Sequence, residues 1–226
     1  MHGFAAATDR DAVALAIRTG TLESLIAHVP VHPGDVVLNR AGTIHALGAG
    51  IVIYEIQEYS DVTYRLHDFG RTDANGQPRD LHVAQSLEVL EYEPLPRHTT
   101  RPVAVGPQTA TGDADPREQL LVADRHFALA EITLAHGYTA RRETDGTSMQ
   151  IVTVISGQVE LSWGDSAAPR GLVLETGETV ILPAEDARYH FTPDDEDDDT
   201  TPRLLIAWVP TDDDPAVQAW NTVQGE

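Results

Sequence analysis

Cysteine and lysine are both absent from this chain of 226 residues. Without cysteine there are no disulfides, no thiolate ligands and no cysteine nucleophile, so a metal ion would have to bind His, Asp, Glu or Gln side chains. Without lysine the chain offers no Schiff-base chemistry and no lysine to clamp a phosphate, unless another chain supplies one. All 15 basic residues are therefore arginines.

Positive charge and long apolar runs are also scarce. The 36 acidic residues outnumber the 15 basic ones and give a formal net charge of -21. Such a surface repels nucleic acid and anionic lipid, so we expect neither as a partner, and an anionic sugar phosphate would need a local cationic pocket. No apolar run is long enough to cross a bilayer, and the first residues lack the features of a signal peptide. We expect a cytoplasmic protein.

The pattern along the chain predicts an all-β protein with a short helical segment near the N-terminus. Apolar residues recur at helical spacing between residues 9 and 28, and Gly20 divides this segment into two short helices. Short β-branched runs bounded by glycine corners follow at 36–38, 51–56 and 63–69, and helical spacing returns at 79–90. We predict a helical segment at 1–28, a first β domain at 29–93, an irregular linker at 94–119 and a second β domain at 120–226.

The second domain is predicted to be a sandwich or jelly roll. Its short, mostly alternating segments lie at 127–134, 150–155, 158–163, 171–174, 179–182, 188–192 and 204–209. A Pro-Gly-Asp turn in the first half and a Thr-Gly-Glu turn in the second each precede a predicted strand, which indicates two related β-barrels. The acidic run at 193–199 is interpreted as a solvated loop, because it lacks the spaced oxygen ligands of a calcium loop.

Three polar residues lie ten positions apart in the first domain. His45 follows a glycine-bounded corner, whereas Glu55 and Arg65 lie in predicted strands. A carboxylate on the inward face of a strand is costly unless it is paired or binds a metal. On spacing alone, His45 is either a turn histidine bonded to the backbone or a metal ligand. Glu55 and Arg65 form either a buried salt bridge or part of a catalytic site.

Neighbouring polar residues leave similar alternatives open. His67, Asp68 and His82 either extend this cluster or lie on the outer face of the sheet. The chain has no H-x-H or H-E-x-x-H pair, so it contains no self-sufficient metal motif.

A series of short motifs runs through residues 33–82. They are P-G-D at 33–35, A-G-T-I-H-A-L-G-A-G at 41–50, E-I-Q at 55–57, S-D-V-T-Y-R at 60–65 and R-D-L-H at 79–82. Together they resemble the type I mannose-6-phosphate isomerases of bacteria, over the C-terminal two-thirds of such proteins. The resemblance is dense over residues 29–90 and continues more loosely through the second domain.

This resemblance implies a cupin fold with two jelly-roll barrels, the first catalytic and incomplete. It implies a zinc ion on a Gln, a Glu and two His, of which the later His is His45, and it aligns Glu55 and Arg65 with active-site residues. The implied reaction interconverts mannose 6-phosphate and fructose 6-phosphate by moving a proton between C1 and C2 through an enediolate. Glu55 would act as base or orient the sugar, and Arg65 would hold anionic oxygen on the enediolate or the phosphate.

The departures from the family pattern imply a limit on activity. The family's Q-x-H motif, its further Glu and its lysine near the substrate have no counterpart here. We therefore expect an incomplete gene product or half of a split enzyme, poorly active alone, that binds one zinc per site if the remaining ligands are supplied. A homodimer or a separate N-terminal polypeptide would be its partner.

Two other readings remain. The alternative function is a non-catalytic cupin module that binds a sugar or regulates a partner. An unrelated cupin dioxygenase or sugar epimerase is disfavoured, because the paired histidines and carboxylate of such sites are missing.

Overall fold

The structure is a computed structural model that describes residues 1–60, 62–105, 117–144, 146–164, 170–185, 187–194 and 200–224. The chain divides into two compact units, each with its own hydrophobic core. The first unit comprises Met1–Tyr54 and Tyr59–Thr100, and the second comprises Glu55–Glu58 and Arg101–Glu226. Residues 195–199 of the acidic run lie outside the described residues.

The first unit contains helix α1 (Arg10–Thr19), a 3₁₀ helix (Leu22–Leu25) and helix α2 (Val83–Val89). The Asp9 side chain accepts a hydrogen bond from the Ala12 N–H at 2.8 Å and so caps the start of α1. Gly20 ends α1 in the left-handed conformation, with φ 71°. The predicted pair of short helices divided at Gly20 is therefore confirmed. No helix in the described ranges is long and apolar enough to cross a membrane.

The helices of the first unit enclose a small apolar core. Its buried residues are Phe4, Val13, Leu22, Ile26, Leu66 and Leu87. The ring of Tyr92 stacks on Phe4 with 6.2 Å between centroids, and its hydroxyl donates to the carbonyl of Leu87 at 2.6 Å. This core packs Phe4, near the N-terminus, together with residues of both helices. Isolated β-bridges also pair His2 with His45 and Phe4 with Ile26.

The strands predicted at 36–38, 51–56 and 63–69 are wrong for this structure. Between residues 29 and 82 the described residues form turns, bends and isolated bridges but no strand. A strand is stable only where its backbone N–H and C=O groups pair with a neighbour. Among the described residues the β-branched run at 51–53 lies in no sheet, and Val52 is 98% exposed. A first barrel therefore stays a prediction.

The second unit is built from two antiparallel sheets. Its elements are β1 (Val103–Val105), β2 (Arg117–Ala123), β3 (Ala128–Thr133), β4 (Ala140–Thr144), β5 (Gln150–Ser156), β6 (Val159–Trp163), β7 (Arg170–Leu174), β8 (Thr179–Leu182), β9 (Ala187–Pro193), β10 (Arg203–Trp208) and helix α3 (Pro215–Gln224). Within the described residues, one sheet has the order β1-β2-β3-β10-β5-β8 and the other β4-β9-β6-β7. The expectation of a mostly β chain with few helices is confirmed.

The two sheets share one core. Inward residues alternate along the strands, as in Val152 and Val154 of β5, Leu204 and Ile206 of β10, and Phe191 of β9, all at most 1% exposed. β10 pairs with β3 on one side and β5 on the other. This central position explains why β10 is apolar on both faces.

Some elements of the second unit carried no clear sequence signal. β1 and the start of β2 fall in the segment predicted as a linker, and β4 and α3 were not predicted. β4 is polar because Arg142 points to Glu118 of β2, at 2.5 Å, in a largely buried ion pair. Helix α3 begins where the Asp214 side chain accepts from the Ala216 N–H at 2.8 Å, and it buries Trp220.

Replacing Gly42 by alanine should destabilise the first unit. Gly42 has φ 84°, and an added Cβ would lie 2.5 Å from the Val89 carbonyl oxygen. The left-handed backbone costs about 1–2 kcal/mol for alanine, and the clash adds about 1–3 kcal/mol. Gly50→Ala is the matched control, since Gly50 has φ 78° and no atom near its Cβ position. Hydrogen exchange of the α1 amides would measure the stability of the first unit in both variants. An equal loss of stability in Gly42→Ala and Gly50→Ala would contradict the predicted clash with Val89.

Candidate active site

His45 lies just after a tight turn of the first unit. The turn is closed by the Thr43 N–H, which donates to the Arg40 carbonyl at 3.1 Å. The side chain of His45 is exposed, and its Nδ1 lies 3.0 Å from the Thr43 carbonyl oxygen. A carbonyl only accepts, so Nδ1 is the donor in this contact, and in the neutral form of the ring Nε2 is then the nitrogen with the lone pair. This backbone bond is also the arrangement that orients a histidine for a metal.

The sequence analysis missed His2, which lies beside His45, and His98, which contacts His2. His2 forms a β-bridge with His45 and is only 6% exposed. Its Nδ1 lies 3.4 Å from Nδ1 of His98, and its Nε2 has no hydrogen-bond partner among the described residues. Burial, followed by the nearby His98 and His45, lowers the pKa of His2. His2 and His98 are 96 positions apart, so no local pattern could have joined them.

The described residues do not by themselves make a metal centre. Within them, no group of three or more His, Cys, Asp or Glu side chains is placed to hold a metal ion. Structural and catalytic zinc sites need at least three protein ligands. His45 is suited to be one ligand, and the others would have to come from outside the described residues.

Glu55 belongs to the second unit and its side chain is exposed. The sequence analysis placed it on the inward face of a strand, in a buried setting, and that expectation is wrong here. Alternation along a chain separates inside from outside only when the chain is paired into a sheet. No sheet among the described residues includes residues 51–56, and the Glu55 side chain faces solvent.

Arg65 is held at several points of the first unit. Its N–H donates to His82 Nδ1 at 3.1 Å, and its carbonyl accepts from the His82 N–H at 2.8 Å. The guanidinium Nη1 donates to the Asp80 carbonyl at 3.3 Å, and Nε lies 3.7 Å from Oδ1 of Asp68. The side chain is 29% exposed, so the guanidinium group is held in place and remains accessible to a ligand from solvent.

Asp68 is the centre of an arginine cluster. Asp68 is only 7% exposed. Its carboxylate accepts two hydrogen bonds from Arg79, one from Nε at 2.7 Å and one from Nη2. Arg71 approaches as well, with Nε 3.4 Å from the Asp68 carbonyl and 3.7 Å from Oδ1. The hydrogen bonds from Arg79 hold the pKa of Asp68 below its ordinary value, and the same bonds raise the pKa of Arg79.

The open alternatives for His67, Asp68 and His82 are thereby resolved for this structure. Asp68 and His82 contact Arg65 and extend the polar cluster. His67 instead has an exposed ring whose Nε2 lies 3.5 Å from Glu23. Arg71 was not singled out from the sequence, although its spacing of three from Asp68 places both residues in one turn.

That turn also presents an aromatic ring. The Arg71 N–H donates to the Asp68 carbonyl at 2.9 Å, and Phe69 and Gly70 between them have φ 52° and 67°. A bulky residue at positive φ is rare and is found where surrounding contacts fix it. Phe69 remains partly exposed, with the Arg71 guanidinium 5.6 Å from its ring centroid.

Comparison with known proteins finds similar isomerases. No protein-family model matches the chain. Mannose-6-phosphate isomerase ManA of Bacillus subtilis (strain 168) is 30% identical over 178 residues, which are 78% of this chain and 52% of ManA. The chain is a relative of the mannose-6-phosphate isomerases. The Streptococcus mutans mannose-6-phosphate isomerase is 46% identical over 74 residues, 33% of this chain and 23% of that protein.

A solved structure agrees in fold. The crystal structure of the mannose 6-phosphate isomerase from Bacillus subtilis superposes with a TM-score of 0.71 at 24% identity, covering 91% of this chain and 59% of that one. The chain spans about half the length of the curated isomerases ManA and YvyI that it matches. The family relationship expected from the motifs at 33–82 is therefore confirmed.

Asp68→Asn should reduce the acid sensitivity of the first unit. Because the folded pKa of Asp68 is lowered, its stabilisation is complete above its ordinary value of about 3.9 and is lost as pH falls through the folded pKa. The variant should therefore be less stable than wild type at pH 7, and the difference should shrink toward pH 2. Urea unfolding between pH 7 and pH 2, monitored by hydrogen exchange of the α2 amides, would measure the stability difference between the variant and wild type.

Glu88→Gln provides the control for Asp68→Asn. Glu88 pairs with Arg10 at 2.5 Å on the exposed surface of the same unit. An exposed pair is worth about 0–1 kcal/mol, so this variant should change little. A difference between Asp68→Asn and wild type that persisted unchanged at pH 2 would contradict the ionic role of Asp68.

Proposed function

We propose that this chain forms part of the active site of a mannose-6-phosphate isomerase that interconverts mannose 6-phosphate and fructose 6-phosphate. The observation that carries the proposal is the 30% identity to ManA over 78% of the chain. The reaction moves one proton between C1 and C2 of the open-chain sugar through an enediolate. It needs a base for that proton and a positive group beside the oxygen that gains negative charge.

Arg65 suits the second of these needs. Its guanidinium is oriented by Asp68 and Asp80, while Nη2 makes no hydrogen bond within the described residues. Donors fixed in advance toward a developing anion lower the barrier without reorganising during the reaction. In this proposal Arg65 holds an anionic oxygen of the enediolate or of the phosphate.

Glu55 is the proposed base or sugar-orienting group. A carboxylate becomes a stronger base toward a carbon-bound proton when water is excluded around it, because desolvation raises the pKa of a carboxyl group. The proposal therefore includes a substrate or additional polypeptide that covers the exposed Glu55.

His45 is the proposed zinc ligand, through Nε2. When bound, the zinc ion would polarise the substrate oxygens as a Lewis acid. One zinc per site is proposed, and only when the remaining ligands are supplied from outside the described residues.

The finer architecture is part of the same proposal. We propose that the two sheets of the second unit are a jelly roll of the cupin class, and that the first unit is part of a second such barrel. Fold-level similarity to the Bacillus subtilis isomerase, at a TM-score of 0.71, supports this.

Arg65→Gln should lower kcat/KM for mannose 6-phosphate by about 10²-fold or more, the usual effect of removing one preorganised charge donor. A coupled assay of fructose 6-phosphate formation with added zinc, on the chain in its active assembly, would measure it. Arg18→Gln is the matched control, because Arg18 is an exposed arginine at the end of α1. Equal activities of the two variants would refute the role of Arg65.

A polypeptide partner is proposed for the exposed apolar segment, defined as residues 47–53. Its members Leu47, Ile51, Val52 and Ile53 are each more than 40% exposed. Single exposed apolar residues are common, but consecutive β-branched ones usually pair or pack against other chain. The relatives are about twice as long as the part of them matched here. We therefore propose that an isomerase segment outside the described residues, in the same or another polypeptide, pairs with this one.

Val52→Asp should abolish this association. An aspartate at the most exposed position of the exposed apolar segment would have to be buried unpaired in the complex. Leu15→Asp is the control, because Leu15 is an exposed apolar residue of α1 in the same unit. The measurement is binding of a polypeptide carrying the N-terminal half of ManA, by sedimentation velocity. Equal binding by both variants would contradict the proposal, and self-association sensitive to Val52→Asp would favour a homodimer instead.

A further inference from the structure

The arginine cluster around Asp68 is a local excess of positive charge on a strongly acidic chain. Three guanidinium groups, those of Arg65, Arg71 and Arg79, lie within 3.7 Å of one carboxylate. One carboxylate cannot neutralise three guanidinium groups, so these four side chains together carry a net positive charge. On a chain with a net charge of -21, an anionic ligand needs a local cationic pocket of this kind to overcome the surrounding negative field.

Asp68 organises these arginines without using up their donors. Arg79 donates to the carboxylate through Nε and Nη2, and Arg71 donates to the Asp68 carbonyl through Nε. Arg65 donates to the carbonyl of Asp80 through Nη1. In the part of the chain that the structure describes, Nη1 of Arg79, both Nη atoms of Arg71 and Nη2 of Arg65 have no acceptor.

The side chains of the cluster become more exposed to solvent from Asp68 through Arg65 and Arg79 to Arg71. The carboxylate of Asp68 is buried, the side chains of Arg65 and Arg79 are 29% and 36% exposed, and that of Arg71 is 64% exposed. A buried anchor with charged donors at its surface is suited to an anion that arrives from solvent. Guanidinium groups bind phosphate with two parallel hydrogen bonds, which makes phosphate a better match than a single-atom anion.

The turn that carries Arg71 is held in a fixed shape. Phe69 and Gly70 both have positive φ, and the Arg71 N–H closes the turn on the Asp68 carbonyl. The ring of Phe69 also lies beneath the Arg71 guanidinium. The position of Arg71 is therefore set before any ligand binds, which lowers the entropic cost of binding.

We propose that Arg65, Arg71 and Arg79, held by the buried Asp68 carboxylate, form the subsite for the phosphate group of the sugar-phosphate substrate. This rests on the proposed isomerase function and extends it, because it assigns the phosphate to a cluster made wholly of this chain's first unit. It also explains how a chain without lysine can hold a phosphate monoester.

Inorganic phosphate is the probe for this subsite. Titrated into the full chain at low ionic strength and followed by calorimetry, it should bind, and Arg71→Gln should weaken it about tenfold, as expected for loss of one charge-assisted hydrogen bond. Arg79→Gln should weaken it at least as much. Arg18→Gln, which removes the same charge from the exposed end of α1, should change it little.

Arg71→Gln keeps the test decisive if Arg79→Gln fails to fold, because the Arg71 side chain is mostly exposed. Phosphate binding that is unchanged in Arg71→Gln, or weakened equally in Arg18→Gln, would overturn the subsite. Mannose 6-phosphate should compete with inorganic phosphate, and unphosphorylated mannose should not. Competition by mannose at the same concentration would also overturn it.

The subsite and the isomerase function fail in different ways. If mannose 6-phosphate binds the cluster but no assembly containing the chain converts it to fructose 6-phosphate, the subsite stands and the isomerase function falls. If conversion occurs with the same KM in Arg71→Gln as in wild type, the isomerase function stands and the subsite is wrong.

Discussion

A β-strand needs a neighbouring strand to pair with its backbone N–H and C=O groups, and this requirement distinguishes the two units of the chain. In the second unit β10 pairs along its length with β3 and with β5, and the other strands extend the two sheets from such pairs. Because each ladder places alternate side chains in a common interior, pairing and core formation support each other. In the first unit the β-branched run at 51–53 lies in no sheet among the described residues, and its side chains stay exposed.

The candidate site depends on a second constraint, the cost of burying a charge. Asp68 is buried, and a buried carboxylate is tolerated only when it is paired and hydrogen-bonded. Arg79 satisfies it directly, while Arg65 and Arg71 gather at its edge. The residue that the family resemblance assigns to the active site, Arg65, is thus held by a neighbour whose own burial requires arginines. The geometry of the site and the stability of the first unit come from the same ion pairs.

Sequence patterns predicted the second unit well because its strands obey a local rule. Where one face of a strand meets the core, apolar residues alternate, and seven segments with this pattern lie on strands β3 and β5 to β10. β4 broke the rule, since its Arg142 is buried against Glu118 from another strand. The predicted strands of the first unit failed for the opposite reason. Their composition favours strands, but composition alone supplies no pairing partner.

The sequence by itself determined the helix ends at Asp9 and Gly20, the absence of thiol and lysine chemistry, and the motifs that relate residues 33–82 to the isomerases. These depend on residue identity or on contacts within one turn of chain. Tertiary structure alone decided that Glu55 is exposed, that His2 approaches His98, and that one buried carboxylate gathers three arginines. Burial and ion pairing depend on which distant residues become neighbours, and that information is absent from any local window of the chain.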